Sequence, residues 1–522
     1  MKLKFSMHYR TEWGQSLHVD MTYISSDGRH TRYNLPMQTQ DGELWQAETV
    51  VMESRQHPVT ALVYAYQVED GTGKVLRREW SIVPRKYAFD STIDYMFPDS
   101  WRDIPAQNHL YTAVYARSVG MMFKTEVDPL RVPLYRRTIL LRVSAPQLQR
   151  GEVLAVCGNH PAMGSWSPSR YVRMMPIGGH DWLLSINADM MRLPLEYKYV
   201  VVDEQSNAIS RWENGENRTT GDVFLSDGQV LVLYGEALRV EEREWRIAAV
   251  AVSEPTKILV DWVQQVGIKL IDMQPVARRG MKMKPSSVRR LQQIGAYARD
   301  RGVSLMGHIE IDLSREMVLS HIHSRVALLE TCFDVLSLRF LMPADAALHA
   351  DYWAYLAAER AEQIIGSTCM FVVIEADNGA GMLKPALKRL RPVYVELQSE
   401  PEKTTFEFSH VDEYPYRSVA VVAGGTTVSL ARWWEEDVDR AQRYFVTILH
   451  RKGKAPRALT PDIAEDVVAR HLFCPSMVSV VSITDLAAMD EGLIKRRLTV
   501  NGLSKADKLN DKLQLMIKHS RR

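Results

Sequence analysis

The sequence predicts a multidomain protein in which two antiparallel β-sandwiches are followed by an α/β domain. Its 522 residues exceed the length at which a single hydrophobic core stops growing. Up to about residue 235, apolar and polar residues alternate along short segments separated by turns, a period typical of half-buried strands. From about residue 243, short apolar segments instead alternate with helical ones, which is typical of a parallel α/β sheet or barrel.

The composition excludes several classes of protein. Hydrophobic residues make up 46% and charged residues 25%, as in ordinary globular proteins, and the net charge of +2 gives no basic field for nucleic acid. No apolar run approaches the roughly 20 residues of a membrane span, and the first residues alternate like a strand rather than a secretory signal. The four cysteines form no CxxC pair, so we expect a cytoplasmic protein with reduced thiols, no metal site and no cofactor.

Four segments follow from these patterns. Residues 1–90 and 136–240 are predicted to be the two sandwiches, each immunoglobulin-like, because their short strands are separated by turns. Residues 91–135 lose the alternation and contain several prolines, so we predict a partly ordered linker there. Residues 243–522 form the α/β domain, and their length of about 280 barely reaches the roughly 250 residues of a minimal (β/α)8 barrel. The number of barrel strands is therefore left open.

An aromatic pattern occurs once in each sandwich. Residues 62–66 form an apolar strand with two tyrosines ahead of Trp80, and residues 195–199 form a similar strand ahead of Trp212. Because each strand continues into a turn and a tryptophan, we interpret the two blocks as an internal repeat of one module.

The second block carries the most specific motif in the chain. A Gly-Ser-Trp turn ends at Trp166, a Tyr-Lys-Tyr strand is centred on Lys198, and Trp212 and Glu213 precede Asn217. This order and spacing resembles the family 20 carbohydrate-binding module, the starch-binding domain. The resemblance implies that Trp166 and Trp212 form an aromatic platform, with Lys198, Glu213 and Asn217 beside it. The chemistry fits, because a flat indole can stack on the apolar face of a glucose ring.

The first block resembles the same family less closely. Trp13 and its neighbours resemble the opening strand of the module, but Ala65 stands where Lys198 stands in the second block. Trp80 is interpreted as a displaced counterpart of Trp212. The resemblance implies either weaker glucan binding at Trp13 and Trp80 or a purely architectural role, and the sequence leaves both open.

The α/β segment resembles glycoside hydrolase family 77, the 4-α-glucanotransferases of the plant and bacteroidete type, which carry two starch-binding modules. Residues 267–275 resemble the first barrel strand of that family, and residues 416–437 resemble the segment around its Thr-His-Asp motif. Residues 471–477 and 485–491 resemble its C-terminal helices. The resemblance implies a TIM-type barrel and an enzyme that transfers α-1,4-glucan segments between maltodextrins.

The catalytic positions of that family are not retained. Retaining transfer requires a nucleophilic carboxylate and a second carboxyl group about 5 Å away. In the matching stretches, Arg339 holds the nucleophile position, Ala376 the acid/base position and Thr426 the position of a third carboxylate. An arginine is always charged and cannot attack an anomeric carbon, so the resemblance implies a reduced, degenerate barrel without catalysis. The fallback carboxylates are Glu375, Asp377 and Asp334.

Three functional hypotheses follow. The preferred one is a protein that binds starch, glycogen or maltodextrin through its second module, with an unidentified protein partner on the barrel. The second is an active 4-α-glucanotransferase that uses displaced carboxylates. The third is a structural or interaction protein that does not turn over glucan. Glucan binding separates the third hypothesis from the first, and turnover separates the second.

Overall fold

The computed structural model divides the chain into two compact units, residues 1–111 with 119–243 and residues 112–118 with 244–522. None of the helices within the described ranges combines the length and hydropathy needed to cross a lipid bilayer. The described residues are 1–51, 56–119, 132–178, 180–235, 237–241, 244–273, 285–315, 319–343, 346–375, 380–398, 407–422, 428–494 and 500–522.

The first nine strands form a sandwich of two sheets. One sheet has the order β3-β2-β6-β7, with β8 also paired to β6, and the other contains β9-β1-β5-β4. Phe5, Tyr64 and Phe97 meet in its core, with ring centroids 5.0 to 5.3 Å apart. The strands are β1 (Lys2–His8), β2 (Gln15–Ser25), β3 (His30–Pro36), β4 (Gln38–Thr39), β5 (Leu44–Val50), β6 (Val59–Asp70), β7 (Val75–Arg78), β8 (Arg85–Ala88) and β9 (Asp94–Ser100).

The next nine strands repeat this connectivity. β10 pairs antiparallel with β14 and parallel with β18, as β1 does with β5 and β9. The second sheet has the order β12-β11-β15-β16, with β17 also paired to β15. The strands are β10 (Arg137–Ser144), β11 (Glu152–Gly158), β12 (Val172–Arg173), β13 (Met175–Gly178), β14 (Asp181–Asn187), β15 (Glu196–Asp203), β16 (Ile209–Trp212), β17 (Arg218–Thr219) and β18 (Gln229–Gly235).

The two sandwiches are joined edge to edge. β18 pairs in parallel with β9, with Val230 opposite Tyr95, so that one eight-stranded sheet runs through both. β9 lies inside the segment 91–135 that the sequence predicted to be a linker, and the first sandwich therefore extends to Ser100. The prediction missed β9 because of Pro98, which pairs only with β1 and lies beyond the stretch of β9 that pairs with β18. A proline is tolerated where one edge of a strand has no partner.

The second unit contains a closed barrel of eight parallel strands, as the TIM-type resemblance implies. β19 is buried along its whole length, as expected when both faces of a parallel strand are covered. The segment predicted to be the first barrel strand is the second one, because Ile247–Val252 precedes it. The strands are β19 (Ile247–Val252), β20 (Leu270–Met273), β21 (Ser304–Asp312), β22 (Val335–Leu341), β23 (Phe371–Glu375), β24 (Val393–Leu397), β25 (Ser418–Val421) and β26 (Val478–Ser482).

Helices surround the barrel, and one of them comes from a distant part of the sequence. That helix, α1, lies between the two sandwiches in the chain but belongs to the barrel unit. The helices are α1 (Ala113–Ser118), α2 (Lys257–Val266), α3 (Pro285–Arg299), α4 (Leu319–Glu330), α5 (Ala350–Ile365), α6 (Ala380–Leu387), α7 (Leu430–Glu436), α8 (Val438–Thr447), α9 (Pro461–Phe473), α10 (Ile483–Ala487), α11 (Glu491–Ile494), α12 (Val500–Ser504) and α13 (Asp507–His519).

α1 covers the N-terminal end of the barrel. Arg117 donates a hydrogen bond to the hydroxyl of Ser304, the first residue of β21, at 2.9 Å. Tyr115 is buried and packs edge-on against Trp245, with ring centroids 5.7 Å apart. Trp245 in turn packs against Phe371, the first residue of β23, at 5.9 Å. These three contacts all fall where strands begin, so α1 closes that end.

Replacing Tyr115 by alanine should destabilise the barrel unit by about 3 kcal/mol, because a fully buried ring leaves a cavity against Trp245. Urea unfolding followed by far-UV circular dichroism measures the change. Tyr352→Ala is the matched control, since that ring on α5 is 59% exposed and its loss should cost less than about 0.5 kcal/mol. Equal stabilities of the two variants would show that α1 contributes nothing to the barrel.

Candidate functional site

The outer face of the sheet β12-β11-β15-β16 collects three of the side chains predicted to contact glucan. Along β15, Tyr199 points into the sandwich core, whereas Lys198 and Val200 alternate to the outer face. Trp212 pairs directly with Val200, so its side chain lies on the same outer face. Trp166 packs on that face against a small buried cluster formed by Ala155, Cys157, Val200 and Val202.

Trp166 is held in an unusual backbone conformation. Its φ of +59° lies in the left-handed region, which a bulky residue seldom adopts. Its backbone N–H donates to Gly158 at 2.9 Å, which fixes the turn at the end of β11. The turn also requires Gly164, because a Cβ there would come within 1.7 Å of the carbonyl oxygen of Arg170. Such strain is concentrated at functional sites.

Trp212 and its neighbours line the other side of this face. The Trp212 side chain is 36% exposed, and Asn217 is exposed on the loop that follows it. Lys198 Nζ donates to the carbonyl oxygen of Gly215 at 2.6 Å, and Asn217 Nδ2 donates to Glu196 Oε2 at 3.0 Å. The loop is therefore tied to β15, and the edge of the aromatic face carries polar groups that can bond hydroxyls.

Glu213 has a different place from the one that the sequence predicted. Its side chain is buried, and one carboxylate oxygen accepts the backbone N–H of Tyr199 at 3.0 Å. Arg218 donates to both carboxylate oxygens, and Arg239 Nε adds a bond of 3.2 Å. Glu213 is thus an internal anchor beneath the Trp212 loop and has no oxygen directed at the outer face. The motif alone could not distinguish a surface ligand from this anchor.

The same anchor exists in the first sandwich. Glu79 accepts the backbone N–H of Tyr66 at 3.1 Å and two bonds from Arg85. This places Arg78, one residue earlier, in the position that Trp212 holds in the second sandwich. The prediction that Trp80 corresponds to Trp212 is therefore wrong, because Trp80 lies two positions beyond the residue that takes the place of Trp212.

Trp80 itself is buried and packs edge-on against Tyr111, at 5.0 Å between ring centroids. It cannot stack on a sugar. Trp13, in contrast, is fully exposed in the turn before β2.

Ion pairs cover the outer face of the first sandwich where the second has its aromatic face. Asp20 accepts two bonds of 2.7 Å from Arg32 and one of 2.5 Å from Arg78. Burial would raise the pKa of Asp20, but the two guanidinium groups outweigh burial and lower it. Asn34 and Gln67 both donate to Glu69, at 2.7 and 2.6 Å. The first sandwich therefore lacks a stacking surface on this face.

A polar cluster lies inside the barrel. Arg339 on β22 is directly opposite Glu375 on β23, and its Nε donates to Glu375 at 3.0 Å. Ser337 donates to the same carboxylate at 2.8 Å, and His308 Nδ1 contacts it at 2.5 Å. The other ring nitrogen of His308 contacts Asp272 on β20. Because His308 on β21 reaches across β22 to β23, the cluster occupies the concave inner face.

Sequence reasoning missed His308 and Asp272. A signal was present, since β21 places polar residues at every second position, at His308, Glu310 and Asp312, within an otherwise apolar strand. Such alternation marks a strand with one polar face, but it does not reveal which carboxylates lie opposite. Of the sequence-predicted catalytic positions, Ala376, Asp377 and Thr426 lie outside the described residues.

Asp334, a fallback candidate, lies at the wrong end of the barrel. It precedes β22, and its buried carboxylate accepts the N–H of Leu305 at 2.9 Å and a bond of 2.8 Å from Arg299. Enzymes with a (β/α)8 barrel place their chemistry at the C-terminal ends of the strands. Asp334 is therefore a structural residue that ties α3 to the strands.

The charges of the inner cluster stabilise one another. Burial would lower the pKa of His308, but Asp272 and Glu375 outweigh it and raise the pKa to about 10. Burial would likewise raise the pKa of Glu375, yet His308, Ser337 and Arg339 together lower it to about 2. Both groups are consequently charged across the physiological pH range.

These pKa shifts make the stability of the barrel depend on pH. A histidine whose pKa rises from about 6.5 to about 10 on folding stabilises the protein fully below about pH 6.5 and loses that contribution as the pH rises through about 10. The difference in thermal midpoint between the wild type and His308→Gln should therefore be largest near pH 6 and shrink toward pH 10. His321→Gln, which removes an exposed histidine of α4, should leave the midpoint almost unchanged. A difference that grew with pH would contradict the assignment.

Comparison with known families supports the two resemblances. Residues 137–223 match the family model of the starch binding domain. Residues 381–506 match the family model of 4-alpha-glucanotransferase. The chain thus contains a starch-binding domain and a 4-alpha-glucanotransferase-like domain, as the sequence predicted.

Individual proteins also match parts of the chain. The 4-alpha-glucanotransferase DPE2 of Oryza sativa subsp. japonica is 25% identical over 305 residues, which cover 52% of this chain but only 31% of that relative. Among solved structures, the family 20 module of a maltotetraose-forming amylase from Pseudomonas saccharophila is 21% identical. That match spans 18% of this chain and 98% of the module, with a TM-score of 0.16. An amylomaltase from Streptococcus agalactiae is 12% identical. That match spans 45% of this chain and 61% of the amylomaltase, with a TM-score of 0.30.

Proposed function

We propose that the chain binds α-1,4-glucan, as starch, glycogen or maltodextrin, through its second sandwich and does not turn that glucan over in its barrel. The observation that carries this proposal is the shared outer face of Trp166, Lys198 and Trp212 within the residues that match the starch binding domain.

The chemistry of that face suits a glucose polymer. Indole rings offer flat apolar surfaces to the C–H face of a pyranose, and their polar edges tolerate water at the rim. Lys198 and Asn217 stand beside the rings with donors for sugar hydroxyls. Trp13, which is fully exposed on the first sandwich, is proposed as a separate and weaker contact.

The inner cluster of the barrel argues against glucan transfer. Transfer with retention requires one carboxylate free to attack and one carboxyl group that carries a proton at neutral pH. Glu375 has a pKa of about 2, so it is ionised and cannot act as an acid. Its oxygens are also engaged by Arg339, Ser337 and His308, which leaves it unsuited to attack. We infer a barrel that has kept its fold and serves as a surface for a protein partner held near glucan.

Removing both indoles should weaken amylose binding about a hundredfold, because each stacked ring contributes about 1.4 kcal/mol. The variant is Trp166→Ala with Trp212→Ala, and affinity electrophoresis in amylose gels or calorimetry with β-cyclodextrin gives the affinity. Trp80→Phe is the matched control, since Trp80 is buried and its replacement should leave the affinity unchanged. Wild-type affinity in the double variant would exclude this face as the binding site.

Purified protein incubated with maltotriose should yield neither glucose nor maltodextrins longer than maltotriose, because Glu375 is ionised and its oxygens are engaged by His308, Ser337 and Arg339. Anion-exchange chromatography with pulsed amperometric detection measures the products. A transferase from the matched family serves as the positive control. Products that form with the wild type and disappear with Glu375→Gln would instead identify an active enzyme that uses this displaced carboxylate.

A further inference from the structure

Three buried arginines meet at the junction between the two sandwiches. The ring of Tyr234 on β18 lies close to all three. Its centroid is 5.4 Å from the guanidinium carbon of Arg85 on β8, 5.1 Å from that of Arg102, which follows β9, and 5.3 Å from that of Arg142 on β10. A desolvated cation over an aromatic face is attracted by the ring quadrupole, so the three guanidinium groups help to hold the ring of Tyr234 in place.

The charges at this junction are matched by acidic groups. Arg85 bonds Asp99 at 2.7 Å as well as Glu79, and Arg142 bonds Asp181 at 2.9 Å through its Nε. Arg142 also donates to backbone carbonyl oxygens of the first sandwich, at Pro84 and Lys86. Buried networks of this kind hold their members in one geometry, because a displaced charge would lose its partners in a low dielectric.

The segment that follows Tyr234 holds the Trp212 loop in place. Ala237 accepts a hydrogen bond of 2.8 Å from Arg218, one of the two arginines that clamp Glu213. Arg239 is the other, and it also donates to the carbonyl oxygen of Glu216 at 2.6 Å. The N–H of Asn214 donates back to the carbonyl oxygen of Arg239 at 2.6 Å. Residues 213–218 are thus bound to Ala237 and Arg239, which follow Tyr234 closely in the chain.

We propose that the first sandwich acts as a brace that positions the glucan-binding loop of the second, with Tyr234 and Arg239 as the positioning residues. The proposal rests on the proposed function of the Trp212 face. It gives the first sandwich a role that needs no stacking surface of its own, in keeping with the ion pairs that cover its outer face. If the loop populates its binding geometry only a tenth of the time, the apparent affinity falls tenfold.

The test uses the full chain with β-cyclodextrin in a calorimeter, well below the unfolding temperature. Tyr234→Leu and Arg239→Met should each weaken binding about tenfold. Tyr234→Phe, which keeps the ring between the arginines, and Arg239→Lys, which keeps the charge, should recover most of the affinity. Hydrogen exchange of the peptide that contains residues 213–218 should be faster in the two weakened variants and near the wild-type rate in the two conservative ones.

Tyr23→Leu is the matched control, because that buried ring packs against Tyr33 on the neighbouring strand and has no part in the arginine contacts of Tyr234. It should lower stability and leave both affinity and loop exchange unchanged. Equal weakening in Tyr23→Leu would reduce the effect to general destabilisation and overturn the brace. Should Tyr234→Leu fail to fold, Arg239→Met decides, since the Arg239 side chain is 40% exposed and Arg218 still pairs with Glu213 in its absence.

Failure of the brace can be told apart from failure of the proposed function. Loss of binding in Trp212→Ala, together with wild-type affinity and loop exchange in Tyr234→Leu and Arg239→Met, would overturn the brace alone. Wild-type affinity in Trp212→Ala would overturn the proposed binding face, while loop exchange would still report whether Tyr234 and Arg239 position residues 213–218.

Discussion

The buried carboxylate of Glu213 is the contact on which the candidate glucan-binding face depends. It joins the backbone of β15 to two arginines, one in β17 and one beyond β18, directly beneath Trp212. An uncompensated carboxylate in that position would be costly, and the surrounding guanidinium groups therefore fix where the loop must run. The aromatic face is partly exposed, whereas its geometry is set one layer below, by a carboxylate that is fully enclosed.

The first sandwich keeps this anchor without the face above it. Glu79 and Arg85 reproduce the contacts of Glu213 and Arg218, yet Arg78 stands in the position of Trp212. The anchor is a requirement of the fold, because it satisfies a strand N–H that would otherwise be buried without a partner. Side chains on the outer face satisfy no buried backbone group, so an aromatic surface in one sandwich can be replaced by a network of ion pairs in the other. Fold and binding surface are separable in this repeat.

Periodicity in the sequence predicted the two β-rich blocks and the change to an α/β domain, whereas the closed barrel followed from the family resemblance. One local motif predicted Trp166, Lys198 and Trp212 as contacts for glucan. The failures have a common cause, which is that burial and pairing across strands are not local properties. Pro98 concealed β9, although its missing N–H faces no partner. Glu213 looked like a surface ligand, and Trp80 looked like a platform residue, because spacing along the chain does not reveal register. Likewise, the contact of His308 with Glu375 joins residues 67 positions apart.

The placement of α1 has a consequence for how the chain is made. Arg117 meets Ser304 across 187 residues, so α1 leaves the ribosome before the second sandwich and long before its docking site exists. At a synthesis rate of about 5–20 residues per second, the helix waits on the order of ten seconds or more for the barrel strands. Both sandwiches can fold in that interval, whereas the barrel can be completed only when it binds α1, which was synthesised much earlier. For the same reason, a fragment that begins at residue 244 lacks Tyr115 and loses its contact with Trp245. Dividing the chain at one position therefore cannot give two complete units.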